Sequence, residues 1–282
     1  MGAPFEVFDA TGPETPVVVE IPHAGMELPA PVLETLVAPV RALGRDADLD
    51  VDALYADASA QGASVLVCRT SRYAVDVNRA ETDVDADVVD GGRGDISLHH
   101  GLVWRTTSDG EAALARRLTR AELEERLALV WRPYHKALRA LVDRKRQRFG
   151  IAVVLAAHSM PSIERSGRDR GREPRVRADV VPGTRGRRSA APEIIDAVEA
   201  HAVAQGWTVR HDDPYAGGYT TQHYGRPVDG IHVIQVELAR RLYLDEASLR
   251  RGGDFARVRD WCRELVALLG RVGASLPAQA AQ

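Results

Sequence analysis

Histidines follow two apolar segments of this sequence at the points where those segments end. Residues 16–21 lead into His23, and residues 151–157 lead into His158. A single histidine in such a place is usually a hydrogen-bonded core residue. Two histidines from separate strands, together with one carboxylate, make up the ligand set of a catalytic zinc site, in which the fourth position is kept for water. His23 and His158 are therefore the candidate imidazole ligands of a metal site.

The candidate carboxylate ligands lie in GRDADLDVDALY, residues 44–55, which contains four aspartates. Asp50 stands where a helix is predicted to begin, and there a carboxylate stabilises exposed N–H groups. Asp52 falls inside that helix. Asp46 and Asp48 precede it, so the chain can still bring either of them towards His23, and the residue types leave both open as the third ligand.

Apolar segments alternate with helical periodicity along the chain. The predicted strands are residues 16–21, 64–68, 73–77, 151–157 and 231–239. The predicted helices are residues 50–62, two helices within 111–148 with a break near 131–133, then 191–205 and 253–272. This alternation favours an α/β fold whose largely parallel mixed sheet is flanked by helices. Such sheets bind ligands at the carboxyl ends of their strands, where the candidate residues lie. No repeat or linker interrupts residues 1–282, which are predicted to form one domain.

The composition argues against several classes of partner. The formal net charge of −3 gives no general attraction to nucleic acid or to an anionic membrane. No signal peptide and no membrane-spanning run is found, and two cysteines form neither a metal motif nor a disulfide framework. We expect a cytoplasmic protein.

Residues 165–188 contain nine arginines, a density that invites a nucleic-acid interpretation. The stretch also contains acidic residues and lacks the interleaved aromatic residues on which bases stack. We interpret it as a long loop that makes a pocket electropositive for an acidic substrate. A nucleic-acid interface would instead show steeply salt-dependent affinity.

Two further segments carry polar side chains beside apolar ones. Asn78 and Arg79 follow the predicted strand 73–77, and Gln235 and Glu237 lie within the predicted strand 231–239. Alternation along a strand places Gln235 and Glu237 on one face. Burial of a carboxylate costs folding free energy unless the group is paired or has a catalytic function. Glu237 is therefore either a catalytic group or the partner of an arginine such as Arg240.

From about Val17 to about Glu246 the chain resembles the N-formylglutamate amidohydrolase family, whose fold is related to the zinc carboxypeptidases and the aspartoacylases. Seven segments occur in family order: IPHAG, DADLDVDALY, SRYAVDVNRA, WRPYHKAL, AAHSMPS, YAGGYTTQHYGRP and IQVELARRLYLDE. The resemblance implies a zinc-carboxypeptidase-like fold. It also implies a hydrolase that holds one Zn²⁺ per chain and cleaves the amide of a small anionic N-acyl amino acid such as N-formylglutamate.

The resemblance also implies roles for individual residues. His23, Asp48 and His158 would bind the metal, with Asp46 in reserve for Asp48. Asn78 and Arg79 would hold a substrate carboxylate, since a guanidinium grips a carboxylate through two parallel hydrogen bonds. Glu237 would be the general base beside the metal-bound water.

The segment YAGGYTTQHYGRP is predicted to be a loop whose glycines allow close approach of the backbone to a ligand. Gly218, Tyr219 and His223 are therefore candidate substrate contacts. Deformylases of the family tend to carry arginine where this chain has Gln222, which leaves the exact substrate open. Alternatives are hydrolysis of another N-acyl amino acid or small peptide, or non-catalytic binding on the same fold. Sequence does not give the oligomeric state or prove zinc over other divalent metals.

Overall fold

The computed structural model describes residues 2–90, 100–164 and 175–277. Its main sheet has six strands in the order β1, β3, β2, β4, β8 and β7, and two short sheets pair β5 with β6 and β9 with β10. β4 is parallel to β2 and to β8, whereas β7 is antiparallel to β8. The strands are β1 Phe5–Phe8, β2 Val17–Ile21, β3 Ser64–Cys68, β4 Ala152–Met160, β5 Ile163–Glu164, β6 Arg175–Val176, β7 Val180–Gly183, β8 Ile231–Ala239, β9 Leu244–Asp245 and β10 Arg250–Arg251.

Eight α-helices lie among the described residues. They are α1 Ala30–Leu33, α2 Val40–Asp46, α3 Val51–Leu54, α4 Arg120–Arg126, α5 Arg132–Phe149, α6 Pro192–Ala204, α7 Tyr219–Tyr224 and α8 Phe255–Ser275. A π-helical turn, Leu127–Trp131, joins α4 to α5, and short 3-10 turns follow α7 and β8. The prediction of an α/β fold with a largely parallel mixed sheet is confirmed.

The strands at the centre of the sheet are buried along their whole length. Every residue of β2, β3, β4 and β8 is buried. Their β-branched and other apolar side chains form near-continuous runs, the pattern of strands covered on both faces. This is why residues 16–21, 64–68, 151–157 and 231–239 could be predicted as strands, and β4 extends three residues beyond its predicted end.

Two compact units divide the chain. The first comprises Met1–Glu6, Pro22–Leu49 and Val67–Arg139, and the second comprises Val7–Ile21, Asp50–Leu66 and Ala140–Gln282. The first unit holds α1, α2 and α4 and small apolar clusters such as Tyr73 with Trp104. The second holds β2, β4, β7 and β8 with α3, α6, α7 and α8. One catalytic domain spanning residues 1–282 stays a prediction.

The prediction of a strand at 73–77 is wrong, because these residues form turns and irregular backbone. Tyr73 and Val75 are buried nonetheless, and Tyr73 packs in a cluster with Trp104. The alternation of apolar and polar residues at 73–77 therefore arises from burial of an irregular segment and not from strand pairing. The predicted helix 50–62 is also too long: α3 ends at Leu54, and turns follow it as far as Gly62.

The helical region after residue 111 begins later than predicted and is not interrupted. The Thr119 hydroxyl accepts a hydrogen bond from the backbone N–H of Glu122, and the Glu122 carboxylate accepts one from the backbone N–H of Thr119, so a capping box sets the start of α4. At the predicted break, Arg132 donates to the carbonyl of Leu127 five residues earlier. Pro133, which has no N–H to donate, lies two residues after this π turn, and the helix continues.

The arginine-rich segment is only partly covered by the described residues. Its first part lies within 165–174, outside them. The rest is not the predicted long loop, because β6 and the edge strand β7 lie within it. Arg187 contacts Asp196 and Glu199, and Arg175 pairs with Asp213, so carboxylates already balance part of the positive charge.

No helix among the described residues is long and apolar enough to cross a membrane.

His232 in β8 predicts a dependence of stability on pH. Its Nδ1 accepts a hydrogen bond from the backbone N–H of Ala191 at 3.1 Å, and burial lowers its pKa to about 4. Because the pKa is lower in the folded state than the unfolded value of about 6.5, its stabilising contribution is present above pH 6.5 and is lost as the pH falls towards 4.

We expect the free energy of unfolding to fall by about 2 kcal/mol between pH 7 and pH 5 through this residue. His232→Asn offers Oδ1 to the same N–H without titrating, so it should flatten this part of the profile. Urea unfolding of both proteins at several pH values measures the difference. Equal slopes for the two proteins would contradict the prediction.

Candidate active site

His23 lies two residues after β2, and two carboxylates of the first unit lie beside its ring. Its Nε2 lies 2.7 Å from Oδ1 of Asp76, and its Nδ1 lies 3.6 Å from Oδ2 of Asp48. The backbone N–H of Asp48 donates to the carbonyl of His23 at 2.9 Å, so the residues after α2 are tied to this turn. With Nε2–H donating to Asp76, the Nδ1 lone pair accepts from Arg72 Nη2, which lies 2.7 Å away.

Asp76, within the predicted strand 73–77, is the carboxylate that lies against Nε2 of His23. The residue is fully buried and accepts hydrogen bonds from Trp104 Nε1 at 3.1 Å and from the backbone of Asn78 at 2.9 Å. Burial opposes ionisation, but His23 and Arg72 hold the pKa of Asp76 well below its usual value. A carboxylate behind an imidazole fixes the tautomer and the ring orientation, as around histidine metal ligands.

Asp46 and Asp48, which the sequence left open as alternatives, have different surroundings. Asp46 ends α2 and accepts hydrogen bonds from the Tyr73 hydroxyl and from the backbone of Ser108 at 3.1 Å. Burial and the neighbouring Asp46 raise the pKa of Tyr73, which keeps its hydroxyl a donor. Asp46 is thus an internal anchor, whereas the Asp48 carboxylate faces His23.

His158 and Glu237 lie on adjacent strands of the second unit. In the parallel pairing of β4 with β8, His158 is the register partner of Glu237 and Ala156 that of Gln235. Gln235 Nε2 donates to Glu237 Oε1 at 2.8 Å, so the two side chains share a face as strand alternation predicts. His158 lies within β4 and not after it, since the strand continues to Met160. Arg240, the alternative partner considered for Glu237, donates through Nε to the hydroxyl of Ser159 at 3.3 Å.

His23, Asp48 and His158 form a group of buried residues that could hold a metal ion. One ligand atom from each lies within 4.8 Å of those of the other two. Two imidazole nitrogens and one carboxylate oxygen are a donor set that suits Zn²⁺. These are the three ligands that the resemblance implies, and their role as metal ligands stays a prediction.

Asn78 and Arg79 lie in the first unit, where Asn78 is buried. Arg79 donates through Nε to the carbonyl of His100 at 2.9 Å and through Nη1 to that of Asn78 at 3.1 Å, and Trp131 Nε1 donates to the Arg79 carbonyl at 3.0 Å. Backbone carbonyls orient the guanidinium without neutralising its charge. A guanidinium oriented in this way is suited to bind an anionic ligand.

The segment around Gly218 is not wholly the loop that its composition predicts, because Tyr219–Tyr224 form α7. Gly217 has a φ of 105°, which favours glycine, and a Cβ there would lie 2.7 Å from the Thr221 side chain. Tyr219 and His223 are four residues apart on α7 and stack with ring centroids 4.8 Å apart. Contact of Gly218, Tyr219 and His223 with substrate stays a prediction.

Two hydrogen bonds hold this segment in place, and sequence reasoning assigned neither. The N–H of Gly218 donates to Gln235 Oε1 at 2.9 Å, and the Thr220 hydroxyl donates to Glu20 Oε1 at 2.9 Å. A glutamate such as Glu20 within the apolar run of β2 was a signal that could have been followed.

Other candidates have structural surroundings. His135 lies on α5, where its Nε2 is 2.8 Å from the Val77 carbonyl and packs this helix against the segment before Asn78. His201 stacks on Trp261 at 4.9 Å. His99 lies outside the described residues. Asp50 occupies the N-cap position of α3 in a left-handed conformation, but its side chain does not cap the helix and pairs with Arg251 instead.

Comparison with known proteins identifies related chains. The family model for N-formylglutamate amidohydrolase matches residues 15–244. The chain is 34% identical over 236 residues to an N-formylglutamate deformylase of Pseudomonas putida, covering 83% of each chain. A protein of the same name from Pseudomonas aeruginosa is 34% identical over 247 residues, covering 86% of this chain and 87% of that one.

Solved structures show the same fold. The crystal structure of N-formylglutamate amidohydrolase from Ralstonia eutropha superposes with a TM-score of 0.87 at 30% identity, covering 96% of this chain and 98% of that one. A gene product of Agrobacterium tumefaciens gives a TM-score of 0.70 at 20% identity, covering 96% of this chain and 95% of that one. The predicted family resemblance is confirmed.

The surroundings of the two aspartates predict different results for Asp48→Asn and Asp46→Asn. Loss of a charged ligand should leave Asp48→Asn with little metal after dialysis against a weak chelator, with little change in melting temperature of the metal-free protein. Asp46→Asn should keep its metal but melt earlier, because it weakens the bond from Tyr73. Elemental analysis and thermal melts measure both, and metal loss in Asp46→Asn alone would move the assignment to Asp46.

Proposed function

Because the chain belongs to the N-formylglutamate amidohydrolase family, we propose that it hydrolyses the amide bond of a small N-formyl amino acid, with N-formylglutamate as the first substrate to test. The observation that carries this proposal is the buried group of His23, Asp48 and His158. The oriented cation of Arg79 and the carboxylate of Glu237 in β8 support it. The products would be formate and the free amino acid.

The proposed cofactor is one Zn²⁺ per chain, held by His23, Asp48 and His158. The residues present fit this ion, because they supply two nitrogens and one carboxylate oxygen. The Asp76 carboxylate behind His23 is the outer partner that such ligands usually have. When bound, the ion would polarise the formyl carbonyl and lower the pKa of a water molecule.

Arg79 and Asn78 are the proposed site for a carboxylate of the substrate. Its hydrogen bonds to the carbonyls of His100 and Asn78 orient the guanidinium without using a carboxylate as partner. A carboxylate bound there would fix the position of the formamide relative to the reacting groups, and orientation of this kind contributes strongly to rate.

Glu237 is the proposed general base. Its carboxylate would accept a proton as the water oxygen adds to the formyl carbon, and would deliver that proton to the nitrogen as the C–N bond breaks. A buried strand position suits this task, because the carboxylate is held still by the donor Gln235.

The substrate is tested by a screen of N-formyl, N-acetyl and N-succinyl amino acids with the zinc-loaded protein. Turnover of N-formylglutamate at the highest kcat/KM is expected. Preference for another acyl group would keep the reaction and change the substrate. Binding of these compounds without turnover would support a non-catalytic protein on this fold.

Arg79→Ala should raise KM for N-formylglutamate and leave the zinc content intact. A bidentate charged contact is worth on the order of 2 kcal/mol, so KM should rise roughly thirtyfold. As a matched control, the effect should shrink when the carboxylate that Arg79 holds is amidated, so the variant is assayed on the α-amide and on N-formylglutamine as well. An unchanged KM on all three substrates would give Arg79 a structural role.

Glu237→Gln should lower kcat by roughly a hundredfold or more, since a general base contributes 10² to 10⁴. The amide can still accept a hydrogen bond from Gln235, so melting temperature and zinc content should stay close to those of the parent. A buried ion pair predicts the opposite pattern, with lower stability and kcat per folded molecule retained. Steady-state kinetics, thermal melts and elemental analysis separate the two.

A further inference from the structure

The Glu237 carboxylate is held by a side chain that the proposed reaction does not otherwise use. Gln235 lies two residues earlier on the same face of β8 and is buried. Its Nε2 donates to Glu237 Oε1 at 2.8 Å. The inference below rests on the proposed role of Glu237 as general base.

The orientation of the Gln235 amide is determined by its other contact. Its Oε1 accepts from the backbone N–H of Gly218 at 2.9 Å, and a backbone N–H can only donate. The amide oxygen must therefore face Gly218, which leaves the NH₂ group facing Glu237. The amide nitrogen has no acceptor capacity, so this contact is favourable only when Glu237 Oε1 carries no proton.

The Gly218 end of this contact is itself fixed by the fold. Gly183 in β7 is the register partner of Gln235, and a Cβ at Gly183 would lie 2.8 Å from both the Gly217 nitrogen and the Tyr215 carbonyl oxygen. The backbone before Gly218 thus packs directly against the strand beside Gln235. One residue beyond Tyr219, the Thr220 hydroxyl donates to the buried Glu20. The donor that orients Gln235 therefore comes from a segment attached on both sides.

We propose that Gln235 is a positioning residue for Glu237. It holds Oε1 of the carboxylate through a donor that cannot rotate, and so keeps the base aligned with the reacting water. It also links the base to the Gly218–Tyr219 turn, whose residues are the candidate substrate contacts. The effect of Gln235 on the reaction passes through Glu237 and not through the metal.

The proposal is tested with Gln235→Met, which keeps the length of the side chain and removes both hydrogen bonds. Losing a hydrogen bond to a charged group should lower kcat by about tenfold or more. Zinc content should not change, because Gln235 is not among the proposed ligands. Kinetics are expressed per folded, zinc-loaded molecule, and Gln235→Asn, whose amide is one methylene too short to reach both partners, serves as a second variant.

The deciding measurement is a double-mutant cycle with Glu237→Gln. If Gln235 acts through the base, Gln235→Met should change the residual kcat of Glu237→Gln by less than about twofold, because the function it supports is already lost. Equal losses of kcat in both backgrounds would overturn the proposal and give Gln235 a general structural role.

Thr220→Val is the matched control for loosening of the Gly218–Thr220 segment. It removes the bond to Glu20 and keeps both hydrogen bonds of Gln235, so its kcat loss in zinc-loaded protein should be much smaller than that of Gln235→Met. An equal loss would assign the effect to loosening of the segment and overturn the proposal. Parental kcat in zinc-loaded Gln235→Met, beside a strongly impaired Glu237→Gln, would refute this inference alone. Parental kcat in Glu237→Gln would refute the general base of the proposed function.

Discussion

The parallel pairing of β4 with β8 is the constraint on which the second unit's part of the site depends. Nine consecutive residue pairs are in register, from Ala152 with Ile231 to Met160 with Ala239. Because side chains alternate between faces, one register places His158 beside Glu237 and Ala156 beside Gln235 on a single face. A shift of one residue would turn every one of these side chains to the opposite face. The buried apolar residues of both strands hold the register, so the hydrophobic core determines where the polar chemistry lies.

The polar groups of the site are held by partners whose own hydrogen-bonding role is fixed. Asp76 in the first unit can only accept when ionised, so it sets which nitrogen of His23 carries the proton. Gln235 in the second unit can only donate to Glu237, because Gly218 occupies its oxygen. In each case a buried partner with a single role removes the rotational and tautomeric freedom that a catalytic or ligating group would otherwise have. This arrangement also satisfies buried polar atoms that would be costly if left without partners.

Membership of the family and the residue-level arrangement support the proposed reaction in different ways. An identity of 34% over most of the chain and a TM-score of 0.87 establish the family and the fold. They do not choose between aspartates only two positions apart. That choice depends on local contacts, since Asp46 serves Tyr73 and Ser108 while Asp48 faces His23. The proposed carboxylate site likewise depends on local contacts, since a backbone carbonyl orients the guanidinium of Arg79.

The sequence by itself determined the strands of the central sheet and the position of His23 and His158 at or near strand ends. It could do so because buried parallel strands are continuous apolar runs, and a polar residue that interrupts or follows such a run stands out. It also placed Gln235 and Glu237 on one face, since strand alternation is a local rule. Only the tertiary structure decided that residues 73–77 are not a strand, because alternating burial arises equally from packing of irregular backbone. The roles of Asp76, Glu20 and Gln235 were likewise decided by partners 53, 200 and 17 residues away in the chain, and such pairings leave no periodic signal in the sequence.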